Sequence, residues 1–422
     1  PAKTIYGRLE ACPTGYSGSM RAMLAKLIPH RSAAVAIVLC LFGAGLRLWQ
    51  VRESLWLDEL HTAWCAVGTL GEVAPRAAIG NQSPLFFWLE WLLLNVLGPS
   101  ELSLRLPSIV AGSLLPLAVF LIAKRWRMDA AGLIAAALVA LDPRSIFFAT
   151  EARPYAAVQL LAVIHIALTA EIATQPRIRL RCIWVTLGVL LFYLHYTAAL
   201  LIAAEVVFLA LLRVGRPLQT PYRLSRLLCD LALEALLCLP AAGQLQAIFA
   251  HRANWTAFIE REPIWEAMHW ISLPAWWWAV LVVAACVGTQ RESKMGANPD
   301  WLGRVPFVFL VICWFAVPLG IAWLATWTDL ARLFFPRYVA VVFPAAMLFA
   351  GLCAYAVPWR WVRLTIGLLT IGVATWSSGI IANPSRRPCD RRPQRGLARL
   401  CWLAEPTASA NAIPRARCQR LD

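Results

Sequence analysis

The sequence predicts an all-α polytopic membrane protein with about eleven or twelve transmembrane helices. Three observations carry that expectation. Apolar residues make up 60% of the chain and mean hydropathy is +0.63, whereas soluble domains sit near 45–50% apolar. Charged residues make up only 15%, too few to coat a water-facing surface of this size. Apolar runs of near-spanning length recur from one end to the other, separated by short stretches rich in Arg and Lys.

The 422-residue chain has 39 Lys and Arg against 23 Asp and Glu, a formal charge of +16. Basic residues placed between apolar blocks mark membrane topology, and the hydropathy excludes a soluble repressor or a disordered nucleic-acid binder. No nucleic-acid partner is expected. The 21 Trp fit the same picture, because indole rings collect at bilayer interfaces. Twelve cysteines occur without a CxxC pair, and most lie in apolar runs, where a thiol is a small hydrophobe.

Residues 1–32 read as a cytoplasmic N-terminal segment, with Met20 ahead of Arg21, Lys26 and Arg31 as a natural start. Residues 33–381 hold the spans. The first, Ala33–Leu48, runs into Arg47-Leu48-Trp49 without a small-residue cleavage site and so reads as a helix, not a cleaved signal. Pro84–Leu97, Leu104–Ala123, Ala130–Phe148 and Pro154–Ile172 follow. Ile183–Leu212 is too long for one span and is interrupted by His195-Tyr196, which predicts two short helices meeting at a bend. Leu227–Phe249, Ala275–Val287, Val305–Thr326, Val339–Val357 and Leu364–Ile381 complete the set. Residues 382–422 form an Arg- and Pro-rich tail of disordered composition, with Cys389, Cys401 and Cys418.

The clusters Arg177 to Arg181, Arg213 to Arg226, and Arg360 with Arg363 are expected in the cytoplasm, which puts the His195-Tyr196 bend outside. Lys124, Arg125 and Arg127 break simple alternation. Parity is restored if Pro84–Leu97, short and carrying Glu90, dips into the membrane without crossing.

Ionisable groups beside spans are the first candidates for chemistry. Asp58 and Glu59 lie just after the first helix, ahead of an amphipathic stretch from His61 to Ile79; such a pair can bind a divalent cation, or one member can take a proton from a hydroxyl. The plain alternative is a solvated loop with Asp58 capping a helix. Thr150-Glu151-Ala152-Arg153-Pro154-Tyr155 offers a second carboxylate and a phosphate anchor, or only a local ion pair. Arg337-Tyr338 at the outer mouth of a late helix either holds a lipid phosphate or snorkels to headgroups. His195-Tyr196, Gln82-Ser83-Pro84 and Arg105 are weaker candidates. Glu205 and Glu234, inside apolar runs, pair with Arg or line a cavity. The loop His251–Trp270 covers a site or is ordinary surface.

The ordered set LWLDELHTA, NQSPLFFWLEW, ELSLRLPSIVAG, FFATEARPYA, LHYTAAL and FPRYVAVVFPA resembles the GT-C membrane glycosyltransferases. It looks most like their bacterial family-39 branch, related to protein O-mannosyltransferases and lipid A aminoarabinose transferases. The resemblance runs from about Ala33 to Ile381. It implies a GT-C-like fold and transfer of a sugar from a polyprenyl-phosphate carrier to an acceptor at the outer face of the cytoplasmic membrane. It implies Asp58 as base or metal contact with Glu59 and Glu151 assisting, Asp58 and Glu151 being the pair for a divalent metal. Arg153, Tyr155, His195, Tyr196, Arg337, Tyr338, Gln82 and Arg105 would bind substrate. Relatives commonly place His or Lys where this chain has Gln82-Ser83. The acceptor is a protein, a lipid or a glycan, and membrane lipids are the other partners. Two further classes stay open from the residues: a transporter or flippase of lipid-linked sugars, and a catalytically inactive membrane scaffold.

Overall fold

The computed structural model describes residues 18–378 apart from 52–54, 216–220, 253, 255–258 and 295–304. The tail at 382–422, with its three cysteines, and the first part of the 1–32 segment lie outside the described residues. Among the described residues every regular element is helical, so the chain is an all-α polytopic membrane protein.

Helix α1 (Gly18–Gln50) rises to one end of the bundle, where α2 (Leu57–Ala66), α3 (Leu70–Ile79) and α4 (Leu85–Leu97) gather. The chain returns along α5 (Glu101–Arg125) and climbs through α6 (Asp129–Leu141) and α7 (Pro143–Thr150). It descends in α8 (Tyr155–Thr174), rises in α9 (Ile178–Leu194) and descends in α10 (Ala199–Gly215). Then come α11 (Leu224–Cys238), α12 (Ala242–Ala250), α13 (Ala275–Lys294), α14 (Val305–Trp327), α15 (Phe343–Tyr355) and α16 (Arg360–Ser378).

Where they are described, the apolar segments expected from the sequence are mainly helical, but not each is a full span. Among the described residues five stretches are long and apolar enough to cross a bilayer, and two bent pairs raise that to seven. Leu85–Leu97 and Ala340–Tyr355 are apolar but shorter. The bend expected at His195-Tyr196 is present: α9 ends at Leu194, and a single 3-10 turn, Tyr196–Ala198, leads into α10.

One bent pair shows how the bundle tolerates a break. Between α6 and α7 the axis turns by 59° at Pro143. Proline has no N–H, so the carbonyl of Val139 loses its helical donor. Arg47 of α1, fully buried, supplies the missing bonds: its guanidinium donates to the carbonyls of Val139 (3.2 Å) and Ala140 (3.4 Å) and to Ser145 Oγ (3.1 Å). Asp142 restarts the chain as the N-cap of α7, accepting from Ser145 N at 2.8 Å.

The two ends of the bundle differ in charge. Ser32, near the start of the first span, donates to Asp129 at 2.6 Å, so the Lys124–Arg127 turn shares an end with the start of α1. Gln82 and Ser83, before α4, and Arg105, in the first turns of α5, both belong to the other end. Thus the segments flanking α4 on both sides lie at that end. Arg177 to Arg181, Arg213, Arg223, Arg226, Arg360 and Arg363 lie at the Lys124 end, with 216–220 outside the described residues. Opposite them sits the polar cluster described next.

Candidate active site

Four separated stretches build the site. The turn into α2 begins at Trp56, whose N–H reaches Glu59 Oε2 at 3.3 Å. Consecutive helical residues point about 100° apart, so Asp58 and Glu59 face different ways. Glu59 turns inward, fully buried, where Arg105 grips both its oxygens at 2.7 Å and the Ala152 N–H donates at 2.9 Å. Asp58 turns outward, its side chain 27% exposed.

The 151–154 turn is clamped from behind. Besides Glu59, Thr62 Oγ1 donates to the Ala152 carbonyl (2.9 Å) and Ser108 Oγ to the Arg153 carbonyl (2.7 Å). Pro154 then opens α8. So held, Arg153 aims at Asp58 (3.6 Å) and accepts no freedom on its other side, donating to Gln82 Oε1 at 2.7 Å. Gln82 follows Asn81, which takes a left-handed backbone (φ 56°) that Asn tolerates. Gly80 packs against His61 so closely that a Cβ there would lie 2.0 Å from the ring.

The fourth stretch, 331–338, is held by Thr326, whose Oγ1 accepts from Leu333 N (2.8 Å) and Phe334 N (2.7 Å). It delivers Arg337 between the two carboxylates, at 2.5 Å from Asp58 and 3.3 Å from Glu151. The guanidinium lies 4.5 Å above the Trp56 ring, with Phe147 and Tyr155 at about 6 Å. Trp56 and Phe147 are contacts not expected from the sequence; they lie within LWLDELHTA and FFATEARPYA, and aromatic type is the only signal the sequence carries for them.

Burial pushes the Glu151 carboxyl up to about 7, against the pull of Arg337 and Arg153. Burial, helped by Arg153, lowers His195 to about 4, so its ring is neutral near pH 7. That ring bonds Thr197 Oγ1 at 2.7 Å, and Thr197 in turn donates to the Tyr338 carbonyl at 2.6 Å, tying the bend to the 331–338 stretch.

Asp58, Gln82, Arg153, Tyr155, His195, Tyr196, Arg337 and Tyr338 all line one cavity of about 670 Å³. The lining is mixed: beside these groups it is apolar at Leu200, Leu245, Ile248, Phe249, Leu333 and Phe335. Tyr196 OH donates to Gln244 Oε1 (2.6 Å), and Gln244 Nε2 to the Gln82 carbonyl (2.7 Å), closing the rim. Arg252 and Arg332 also line it. Arg252 comes from the loop His251–Trp270, so that loop does reach the cavity.

Three expected site residues do not face it. Glu59 and Arg105 are a sealed structural pair: the expected assisting carboxylate and the expected substrate contact neutralise each other out of solvent. Glu151 is 2% exposed and stands behind Arg337. As metal ligands Asp58 and Glu151 fit poorly, because the Arg337 guanidinium already occupies the space between them. Among the described residues no three His, Cys, Asp or Glu side chains converge to hold a metal.

Residues 81–238 match the family model described as dolichyl-phosphate-mannose-protein mannosyltransferase. That stretch contains Gln82, Arg153 and His195 but stops short of Arg337. No curated protein matches the chain. Among solved structures it is similar to the Archaeoglobus fulgidus oligosaccharyltransferase tethered to an acceptor peptide containing the NVT sequon. The identity is 12% and the TM-score 0.48, over 90% of this chain and 57% of that one. The archaeal oligosaccharyltransferase AglB from the same organism, with an inhibitory peptide and a dolichol-phosphate, gives 12% and 0.49, over 93% and 62%. The chain thus spans about three-fifths of the length of these structures.

Proposed function

We propose that this protein is a GT-C-type glycosyltransferase that moves a sugar from a polyprenyl-phosphate carrier to an acceptor hydroxyl. The observation that carries the reading is Asp58, an open carboxylate set between two guanidinium groups on a cavity whose lining is partly apolar. The match of residues 81–238 to a family named for a lipid-phosphate sugar donor supports the same donor class. Because basic turns mark the cytoplasmic side, the cavity opens on the outer face of the cytoplasmic membrane.

The chemistry follows from that geometry. The apolar side chains of the lining take the carrier chain, and its polar side chains take sugar and phosphate. The acceptor oxygen attacks the anomeric carbon opposite the phosphate while its proton passes to Asp58. The bond from the anomeric carbon to phosphate oxygen breaks, the electron pair leaves with the phosphate, and the sugar configuration inverts. Before the reaction Asp58 is the counter-ion of Arg153 and Arg337. Once it takes the proton it releases its hold on both, just as the departing phosphate gains charge for them to neutralise. Glu151 and the Trp56 ring keep Arg337 in place meanwhile.

The test is Asp58→Asn in vesicles supplied with a polyprenyl-phosphate sugar and an acceptor identified from the glycan lost on gene deletion. Transfer is expected to fall at least ~100-fold with the unfolding temperature unchanged. Full transfer by the variant would remove the base; carrier movement across vesicles without transfer would favour a transporter.

A further inference from the structure

Beyond the cavity, and independent of sugar transfer, a second polar cluster lies within the bundle among α8, α9, α10 and α11. His165 and Glu205 are fully buried and Glu234 is 6% exposed. His165 Nε2 faces the Trp184 carbonyl at 2.9 Å, and a carbonyl only accepts, so Nε2 carries a proton. Its Nδ1 lies 2.8 Å from Glu205 Oε1, so one proton is shared across that contact and the pair is neutral overall.

Glu234 joins them through a missing side chain. It packs over Gly188 of α9, where a Cβ would stand 2.1 Å from Glu234 Oε1 and 3.2 Å from His165 Nε2. The neighbouring carboxylate on its own helix is matched. Arg181 binds both oxygens of Asp230, one turn before Glu234, at 2.7 and 2.6 Å, and Tyr222 OH also donates to Asp230. Cys238, one turn beyond, offers only a thiol. Oε2 of Glu205 and Oε2 of Glu234 are both buried without a hydrogen-bond partner. Two carboxylates around one imidazole leave a net charge of minus one with no cation paired to it among the described residues, in surroundings that penalise an unpaired charge heavily. A proton on Glu234 removes that charge. Among the described residues no three-ligand metal site forms.

We infer that His165, Glu205 and Glu234 form an intramembrane proton-binding site, its proton held on Glu234 and supplied from the Arg-rich end past Asp230 and Tyr222. Occupancy governs packing of α11 on α9, since an ionised Glu234 cannot rest on bare Gly188 among apolar neighbours.

The experiment is infrared difference spectroscopy on the full chain in lipid, wild type minus Glu234→Gln, over pH 5 to 10. The expected result is a protonated-carboxyl carbonyl band at pH 7 that belongs to Glu234 and is lost at alkaline pH, together with an unfolding temperature that falls over the same range in wild type only. Glu234→Met, which keeps the length without the acid, gives the same difference if Glu234→Gln does not fold. No wild-type-minus-variant band at pH 7 would overturn the proposal. So would a band that disappears in sodium but persists in choline buffer, which would assign the site to a sodium ion instead.

Discussion

At the start of α2, Glu59 lies fully buried between both prongs of Arg105, whereas Asp58, one residue earlier, keeps 27% of its side chain exposed on the cavity wall. Both carboxylates have arginine partners within 3 Å, yet the surroundings divide their roles. The sealed pair also holds the Ala152 N–H and so sets the position of Arg153, a structural task that needs no solvent. The open pair keeps an oxygen within reach of a substrate. Ion pairing alone therefore does not single out the base proposed for this site; access to the cavity separates Asp58 from Glu59.

Three substitutions sharpen that contrast. Arg105→Ala should be the most damaging, because it strands the Glu59 charge out of water. A loss of about 3–5 kcal/mol is expected in detergent unfolding. Replacing both partners with apolar residues should cost less than either single change, and equal costs would show that burial is not the reason.

Glu151→Gln probes the carboxyl behind Arg337. Burial raises this group from an ordinary 4.5 to about 7. A carboxyl raised in the folded state contributes stability that is complete below about 4.5 and lost as pH rises through about 7. The loss is on the order of 3 kcal/mol. The variant should lack that slope between pH 5 and 8, as read from unfolding temperatures across buffers.

Gln82→Ala should have the smallest effect, about 1 kcal/mol on stability, since it removes one partly exposed bond to Arg153. Sugar transfer should nevertheless fall roughly tenfold as Arg153 loses its aim. Unchanged transfer would show that the 151–154 clamp alone positions the guanidinium.

Much of this arrangement was legible in the sequence because charges beside apolar runs are scarce. Asp58, Arg153 and Arg337 stand out for that reason, and the structure brings all three onto one wall. The different fates of Asp58 and Glu59 were not legible, since adjacency in sequence says nothing about which neighbour turns inward. His165 passed unnoticed as a single polar residue in an apolar run, and only the packing of four helices shows why Glu205 and Glu234 sit near it. The helix pattern was read well where runs were unbroken, as in α5 and α14. Continuous apolar runs concealed the breaks at Pro143 and after Cys238, because hydropathy does not record which carbonyls lack a donor.

The bend at Pro143 has a consequence for how the protein is made. Arg47 reaches carbonyls 92 and 93 positions later in the chain. During synthesis the guanidinium enters the bilayer long before the backbone it will satisfy. The first helix must therefore wait at the translocon, or keep its arginine near the surface, until the sixth arrives; removing that helix would leave the kink without its brace.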